Sequence, residues 1–549
     1  MGKERGGSDL LLESAIIGTT AYTLYRTLDE KGIKNRKVKR NIRKKWSVLM
    51  DSIGNTAENK IEQGYEILEI FIKHYGFDFI LSIPYGKKFN DVLGLIPLVE
   101  SCYKANVMVN LSEDKNSAYI RVHLMGKEIS KKDEIRFSWF KTFYNMDNCT
   151  TKSGETLGID SIEEVLSPNK EVVGYRIKSK IPVGLGYEKI KSSYDVMTRT
   201  LGKCFFDFNF KTMVLETTII HKNIEDNEKF IPVKVNPWEI YVAMCYDWKP
   251  IILNYRLSAN SLTGGNQGTG KTVALIMGFI NLCYWRDDFD LTVAMMGEKQ
   301  DLRVFRDVRQ CKYYANTRES SMSLFKYLVN EMKRRNDLFA QQKRFCFNIY
   351  EYNEMVKPDE RLKVIHLLID EIADFAEDDE IQKILWSILR KGRSSGIYAS
   401  VATQRASTKN LDSEIKGQLA NKIGFSQPNT ASALTVMSGE DIAKRVMSLE
   451  KNRECLVDYI EGIKLARTLH LDKDMMEDLL KDCITIEDNK LNLDMNGNII
   501  EKQKETPEIT ENYQETVDNS KKSLKALEII KSEPRWKQKK LKKEGKDKK

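Results

Sequence analysis

The chain has 549 residues, of which 41% are hydrophobic and 30% are charged. This balance supports folded domains with apolar cores, and the length suggests three or four of them. The 11 prolines and 31 glycines are too few for a collagen-like or linker-dominated protein. The nine cysteines include no CxxC pair and the five histidines do not cluster, so we expect reduced thiols and neither a disulfide framework nor a zinc site.

The net charge of +9 is concentrated in two basic arms. Lys31 to Lys45 contains nine basic residues and no acid, and Arg535 to Lys549 contains nine basic and two acidic residues. Such arms bind nucleic acid or an anionic membrane face, or they only keep a protein soluble. The apolar segment Ser14–Tyr25 is too short for a membrane span and lacks a cleavage site, which predicts a short helix. We therefore expect a cytoplasmic protein, with peripheral contact at the inner face of the cell membrane as an alternative.

Four regions follow one another along the chain. Residues 1–55 form a basic, partly helical leader, and residues 56–235 mix β-rich runs with amphipathic helices. Residues 236–472 alternate strand-like and helix-like segments, which predicts an α/β domain with a mostly parallel sheet and flanking helices. Residues 473–549 contain a short helical segment and a polar, basic tail, which predicts flexibility.

The region 56–235 contains a motif that occurs twice. Ile83–Gly86 and Ile181–Gly184 both read I-P-x-G, and each is followed by a helical stretch and two β-rich runs. A strand, a turn, a helix and a hairpin repeated in this order would be a duplicated α/β lobe. Because the motif is short, a chance match is the alternative.

A phosphate-binding motif opens the third region. Gly264–Thr272 reads GGNQGTGKT, satisfies GxxxxGK[ST] and runs directly into an apolar helical stretch. Its glycines let backbone N–H groups surround a phosphate at the positive end of the helix. Lys271 would neutralise the β- and γ-phosphates of ATP, and the Thr272 hydroxyl would ligate Mg²⁺. The predicted nucleotide-binding residues are Gly265, Asn266, Gln267, Gly268, Thr269, Gly270, Lys271 and Thr272.

An apolar run further along the chain ends in two acidic residues. Val364–Ile369 predicts a buried parallel strand whose C-terminal end presents Asp370 and Glu371, with His366 as a core histidine. Asp370 would hold the Mg²⁺ ion, and Glu371 would position and activate the attacking water. The alternative is that both acids cap the next helix. Their combination with a P-loop favours the catalytic assignment.

A third strand-like segment, Ile397–Thr403, ends in Gln404. An amide at the tip of a strand beside the Asp-Glu strand is suited to sense the γ-phosphate or the lytic water. The preceding turn carries Arg393, and an exposed arginine there could reach the nucleotide of a neighbouring subunit. A surface salt bridge is the commoner role of an arginine.

Together these motifs resemble the core of the FtsK/SpoIIIE-type DNA translocases. GGNQGTGKT, LLIDEIADF and RKGRSSGIYASVATQRAS are similar to the three core motifs of that family. VNEMKRRNDLF and IKGQLANKIGFSQPNTASALTVM are similar to its connecting segments, so the resemblance extends over about residues 236–460. It implies a RecA-like motor that assembles as a hexameric ring and moves double-stranded DNA with ATP and Mg²⁺.

The resemblance also implies roles for individual residues. Gly265–Thr272 would be the Walker A motif, and Asp370 and Glu371 would be the Walker B pair. Gln404 lies in the motif where the family places a sensor. Arg393 would be the arginine that acts in trans, and with Lys271, Glu371 and Gln404 it completes the predicted catalytic set.

The chain departs from the commonest pattern of the family. Gly297–Lys299 reads GEK where Asp-Pro-Lys is frequent, and Ala406 replaces a frequent proline. Multi-span membrane anchors and a C-terminal winged-helix domain are not recognisable. In these respects the chain resembles the smaller members of the family from conjugative plasmids and integrative elements, the TcpA-like coupling ATPases. This resemblance implies relaxosome or secretion-channel proteins as partners. A protein-translocating secretion ATPase and a nucleotide-gated DNA-binding scaffold are the alternatives.

Overall fold

A computed structural model describes most of the chain between residues 34 and 500. The described ranges are 34–53, 64–112, 115–209, 211–296, 301–376, 378–404, 413–450, 452–485 and 490–500. The chain divides into two compact units, Met1–Lys222 and Asn223–Lys549. The division comes before the predicted boundary at residue 235 because the intervening segment bonds into the second unit. There the Phe230 amide donates to the His470 carbonyl at 2.9 Å.

Among the described residues, the first element of the first unit is α1, a helix of residues 34–52. Ile42, Trp46 and Met50 recur every fourth residue and form one buried apolar face. The Trp46 indole donates to the Tyr65 carbonyl at 2.9 Å. The other faces expose the cations Lys34, Arg36, Lys37, Arg40, Arg43, Lys44 and Lys45. This part of the basic leader is therefore a docked helix whose positive charge is directed at solvent.

The first lobe of this unit is a small antiparallel sheet with two helices between its two hairpins. Its elements are β1 (Ile67–Lys73), β2 (Gly76–Ser82), α2 (Phe89–Leu93), α3 (Ile96–Tyr103), β3 (Ala105–Leu111) and β4 (Ser117–Leu124). The strand order is β1-β2-β4-β3, and neighbouring strands are antiparallel. One face of the sheet and both helices enclose the apolar core.

The helix α4 (Lys131–Tyr144) leads into a second lobe with the same plan. Its elements are β5 (Ser161–Leu166), β6 (Val172–Lys180), α5 (Tyr187–Ser192), α6 (Tyr194–Leu201), β7 (Lys203–Asn209) and β8 (Val214–Ile220). The strand order is β5-β6-β8-β7, again antiparallel. In both lobes an I-P-x-G turn follows the second strand, and Gly86 and Gly184 have φ angles of +85° and +92° that favour glycine. The two lobes share one topology, as a duplicated lobe requires.

The second unit is built on one large sheet flanked by helices. Its strands are β9 (Glu239–Cys245), β10 (Pro250–Asn254), β11 (Ser261–Gly264), β12 (Phe289–Ala294), β13 (Cys311–Ala315), β14 (Val364–Ile369), β15 (Ile397–Thr403), β16 (Asn421–Phe425), β17 (Glu454–Tyr459) and β18 (Gly462–Arg467). Its helices are α7 (Lys271–Trp285), α8 (Arg318–Ala340), α9 (Ile349–Met355), α10 (Ala373–Ala376), α11 (Asp379–Lys391), α12 (Ser413–Gln418), α13 (Thr430–Val436), α14 (Glu440–Met447) and α15 (Lys473–Leu480).

The sheet of the second unit is mixed, which corrects the prediction of a mostly parallel sheet. Within the described ranges its order is β10-β9-β18-β17-β16-β11-β15-β14-β12-β13. The strands from β16 to β13 in this order are parallel. The remaining pairs are antiparallel, because β9–β10 and β17–β18 are hairpins closed by short turns, and such turns cannot join parallel strands. The parallel part carries the predicted nucleotide motifs.

The strand β14 lies in the centre of the parallel part and is buried along its whole length. His366 is fully buried, and its Nε2 bonds the Pro237 carbonyl at 2.7 Å. Burial lowers the pKa of His366 from 6.5 to about 4. The imidazole is therefore a neutral core group, as the sequence predicts.

We expect this histidine to make the protein less stable in acid. The unfolded chain takes up a proton near pH 6.5 and the folded protein only near pH 4, so stability falls as the pH falls through this window. The maximal loss is about 3 kcal/mol of the free energy of unfolding. Urea unfolding between pH 7 and pH 4 measures it, and His366→Gln should flatten the dependence. The exposed control His74→Gln should leave it unchanged, and an equal slope in both variants would contradict the assignment.

Beyond the sheet, α15 agrees with the predicted short helical segment, and part of the following chain packs on the second unit. The Leu491 amide donates to the Lys312 carbonyl at 2.8 Å, and Leu493 pairs with Ile499. The basic run Arg535–Lys549 and the apolar segment Ser14–Tyr25 lie outside the described residues. Over the ranges that the structure covers, no helix has the length and apolar composition to cross a bilayer.

Candidate nucleotide-binding site

The loop 265–270 connects β11 to α7 at the edge where the parallel strands end. Gly268 and Gly270 have φ angles of +76° and +108°, which L side chains rarely adopt. A Cβ on Gly265 would lie 2.6 Å from the Phe425 Cβ, so this position also requires glycine. The backbone N–H of Asn266 donates to the Ser426 carbonyl at 3.0 Å and connects the loop to the end of β16. Sequence and packing together hold the loop in the form of a phosphate cradle.

Side chains within the loop converge on one carbonyl group. The Asn266 carbonyl accepts hydrogen bonds from Thr269 Oγ1 at 2.7 Å and from Lys271 Nζ at 3.1 Å. Lys271 is only 5% exposed, so its ammonium group lies against the loop and not in bulk solvent. Because α7 begins at Lys271, the positive end of the helix dipole points at the same place. The loop therefore concentrates positive potential where a phosphate would bind.

The acidic pair follows β14, as the sequence predicts. Asp370 and Glu371 are 4% and 5% exposed. The Glu371 carboxylate accepts hydrogen bonds from Thr403 Oγ1 and from the backbone N–H of Gln404, both at 2.7 Å. The end of β15 thus fixes the orientation of this carboxylate, which a general base requires. The helix-cap alternative accounts for one weaker contact, from the Ala373 amide at 3.3 Å.

A cavity of about 560 Å³ opens over the loop. It brings Lys271 and Thr272, at the start of α7, together with Gln404, which follows β15. Asp370 and Glu371 do not line this cavity and lie at the end of the strand beside β15. The Thr272 hydroxyl and the Asp370 carboxylate are hard oxygen donors, which fit the predicted Mg²⁺ ion. The arrangement can bind a phosphate chain, with the acidic pair at the end of the strand next to β15.

Arg393 is the predicted site residue that lies at the other edge of the sheet, away from this cavity. It lies in the turn before β15, at the edge of the sheet opposite Gln404, and seven residues of strand separate the two edges by roughly 20 Å. Its Nη2 donates to the Arg256 carbonyl at 3.1 Å. The Arg256 guanidinium lies 4.3 Å from the ring centroid of Tyr350. Arg393 does not line the cavity of the same chain, and its action in trans stays a prediction.

Sequence reasoning missed four polar residues that also line the cavity, Asp226, Asp301, Asn452 and Arg453. Arg453 precedes β17 and has a φ angle of +61°, an unusual conformation for a non-glycine residue. A Cβ on Gly270 would lie 2.8 Å from its Cγ, so Arg453 packs directly against the loop. No local motif marks these residues, because they lie outside the contiguous P-loop motif and reach the cavity only through the tertiary fold.

Comparison with known proteins gives partial matches. No profile of a known protein family matches the chain. The chain is 28% identical over 184 residues to the DNA translocase FtsK of Clostridium tetani (strain Massachusetts / E88), which is 32% of this chain and 24% of the relative. It is 25% identical over 195 residues to the DNA translocase SftA of Bacillus subtilis (strain 168), which is 34% of this chain and 20% of the relative. The chain thus spans a quarter or less of the length of these curated relatives.

Solved structures give weaker likenesses. The pCW3 conjugation coupling protein TcpA, in a monomer form with ATPγS, matches 64% of this chain and 99% of its own at 19% identity and a TM-score of 0.43. The cytoplasmic domain of the Thermomonospora curvata Type VII secretion ATPase EccC matches 49% and 33% at 14% identity and a TM-score of 0.41. Over about a third of its length, the chain is similar in sequence to ATPases of the FtsK/SpoIIIE type.

Proposed function

We propose that the protein is an ATP-driven translocase of double-stranded DNA that works as a hexameric ring of identical subunits. One observation carries the ATPase part of the proposal. The P-loop, the Asp370–Glu371 pair and Gln404 meet at one edge of the sheet, and Glu371 is oriented by Thr403 and Gln404. The DNA part rests on the sequence similarity to FtsK and SftA, which are named as DNA translocases.

The geometry supports a division of labour among the site residues. Backbone N–H groups of the loop and the Lys271 ammonium would bind the phosphates of ATP. Thr272 and Asp370 would hold Mg²⁺, which neutralises charge that develops on the phosphates. Glu371 would take a proton from the attacking water, since its carboxylate is held in place by two short hydrogen bonds. Gln404 would contact the terminal phosphate or that water from the end of β15.

The exposed cations of α1 support an electrostatic contact with DNA. Double-stranded DNA carries a charge roughly every 1.7 Å, and each cation that neutralises a phosphate adds to the salt dependence of binding. Contacts to phosphates carry no sequence information, which suits an enzyme that must move along any sequence. The same helix could instead bind an anionic membrane surface, which is the alternative function of this basic arm.

ATP turnover with and without linear double-stranded DNA tests the proposal. We expect DNA to raise the turnover rate of the full chain, with a stimulation that declines from 50 to 200 mM salt. Stimulation by an unfolded protein and not by DNA would favour a protein-translocating ATPase. Hydrolysis that stays absent under every condition, while DNA still binds, would favour a nucleotide-gated scaffold.

Arg393→Ala should abolish hydrolysis in the assembled ring, because each subunit then lacks the arginine that its neighbour supplies to its nucleotide. A trans-acting arginine contributes roughly 10³-fold or more to the rate. Mixing Arg393→Ala with Lys271→Ala subunits should restore part of the activity, since some interfaces then combine an intact P-loop with an intact arginine. Turnover measured across mixing ratios gives the result.

Arg361→Ala is the matched control for that experiment. Arg361 is also an exposed arginine that donates to a backbone carbonyl, that of Asn353 at 3.0 Å. It should retain the activity of the unmodified protein. If no ratio of the two inactive variants restores turnover although they co-assemble, Arg393 does not act across the interface.

A narrower role follows from the resemblance to TcpA-like coupling ATPases. We propose that the translocase acts in the conjugative transfer of a plasmid or integrative element, with relaxosome or secretion-channel proteins as partners. Deleting its gene from such an element should abolish transfer, and Glu371→Gln should not complement the deletion. Unchanged transfer frequency would remove this role while leaving the DNA translocase proposal intact.

A further inference from the structure

The cavity over the P-loop has a second wall that the phosphate and catalytic residues do not use. Across the sheet, β15 and β14 lie on one side of β11, and β16 and β17 lie on the other. Because β17 is antiparallel to β16, its start lies at the edge where the parallel strands end. Gln404 and the acidic pair therefore flank the loop on one side, and Arg453 flanks it on the other.

This second wall is held by a network of hydrogen bonds. The Arg453 guanidinium donates to the Asp226 carbonyl and contacts His470 Nδ1 at 3.2 Å. The Arg453 carbonyl accepts from the Thr468 amide at 3.0 Å and from its hydroxyl at 3.1 Å. A positive φ angle in a non-glycine residue costs free energy unless the surroundings hold it. Here the contacts on both ends of Arg453 maintain the conformation.

Asp226 is the acidic part of the wall. Its carboxylate accepts from Asn452 Nδ2 at 2.9 Å and from Arg467, whose side chain is 4% exposed. Arg467 also pairs with Glu450, so the ion network continues behind the wall. The Asp226 side chain itself remains 56% exposed. A carboxylate has about four acceptor positions, so Asp226 can accept further hydrogen bonds from a molecule in the cavity.

The charges of the wall determine which end of a nucleotide it can face. The end with the γ-phosphate belongs beside Lys271, Gln404 and the acidic pair, so the rest of the molecule must extend toward Arg453. A cation beside Gly270 suits the inner phosphates. A carboxylate would repel phosphates, but it accepts hydrogen bonds from hydroxyl groups. The cavity volume of about 560 Å³ is within the range of small-molecule sites.

We propose that Asp226 binds the ribose hydroxyls of the nucleotide, that Asn452 positions its carboxylate, and that Arg453 contacts the inner phosphates. The site therefore selects ribonucleotides through the sugar. This assignment rests on the proposed binding of ATP at the P-loop. It adds that the second wall recognises the ribose of the nucleotide.

The test compares the affinities of the full chain for ADP and for 2′,3′-dideoxy-ADP by isothermal titration calorimetry. We expect the unmodified protein to prefer ADP about tenfold, the effect of losing hydrogen bonds to a charged group near solvent. Asp226→Ala should bring the ratio of the two affinities close to one, and Asn452→Ala should lower it. Arg453→Gly, which suits the positive φ angle, should weaken both ligands equally and keep the ratio. The control Asn330→Ala should change neither affinity.

The ratio separates a ribose contact from a structural effect, because a distorted site weakens both ligands alike. If the unmodified protein binds both nucleotides equally, or if Asp226→Ala and Asn452→Ala retain its preference, the ribose assignment is overturned while ATP binding stands. If the unmodified protein binds neither nucleotide, the proposed function fails as well. Asp226→Ala also loses the contact with Arg467, so thermal unfolding of each variant is used to test whether the chain is still folded. If Asp226→Ala does not fold, Asn452→Ala provides the result.

Discussion

Glu371→Gln should bind ATP normally and lose roughly 10²- to 10⁴-fold in turnover, the usual contribution of a positioned general base. The substitution suits the site, because the Thr403 hydroxyl can accept a hydrogen bond as well as donate one. A glutamine can direct its side-chain nitrogen to the Thr403 hydroxyl and its side-chain oxygen to the backbone N–H of Gln404. Both contacts at 2.7 Å can therefore be replaced. Only the capacity to take a proton is removed. Steady-state turnover and ATP affinity, measured on the same preparation, give the two values.

The exposed Glu354 on α9 provides the control. Glu354→Gln also removes one negative charge and should keep the turnover of the unmodified protein. A Glu371→Gln variant that hydrolyses ATP at the normal rate would show that another group activates the water. A variant that no longer binds ATP would show that Glu371 supports the fold of the site, and the general-base role would lose its basis.

Lys271→Ala should reduce nucleotide affinity about a hundredfold or more, because the loss of a buried charged partner costs roughly 3 kcal/mol. Lys271 is 5% exposed and lies against the loop, so the substitution removes a buried cation from the place where the β- and γ-phosphates would bind. Hydrolysis and DNA-stimulated turnover should both disappear at ATP concentrations that saturate the unmodified protein. Titration with a fluorescent ATP analogue measures the affinity directly.

Lys383→Ala, on the exposed face of α11, is the matched control and should bind nucleotide normally. Its normal behaviour would separate the local effect of Lys271 from a general effect of net charge. If Lys271→Ala binds ATP as tightly as this control does, the loop is not the nucleotide site. The similarity to DNA translocases would then describe sequence alone.

Several local features of this protein could be predicted from sequence. The strands β14 and β15 have the bounds that their apolar runs predict, Val364–Ile369 and Ile397–Thr403. The P-loop Gly264–Thr272 joins a strand to a helix, as its glycines and the following apolar run require. The I-P-x-G motif recurs in two lobes of one topology. These features depend on neighbouring residues, and burial periodicity and backbone restrictions act over a few positions at a time.

The contacts that complete the site were decided by the tertiary structure. Glu371 is oriented by residues at the end of β15, and Asp226 and Arg453 reach the loop from segments more than 200 positions apart in the chain. The same topology places Arg393 at the opposite edge of the sheet, away from the cavity of the same chain. Hairpins also made the sheet mixed, although each strand alone is compatible with either direction. The sequence could determine which residues carry the chemistry of phosphate binding, because that motif is contiguous. The strand order, which follows from packing of the whole sheet, determined what lies beside it.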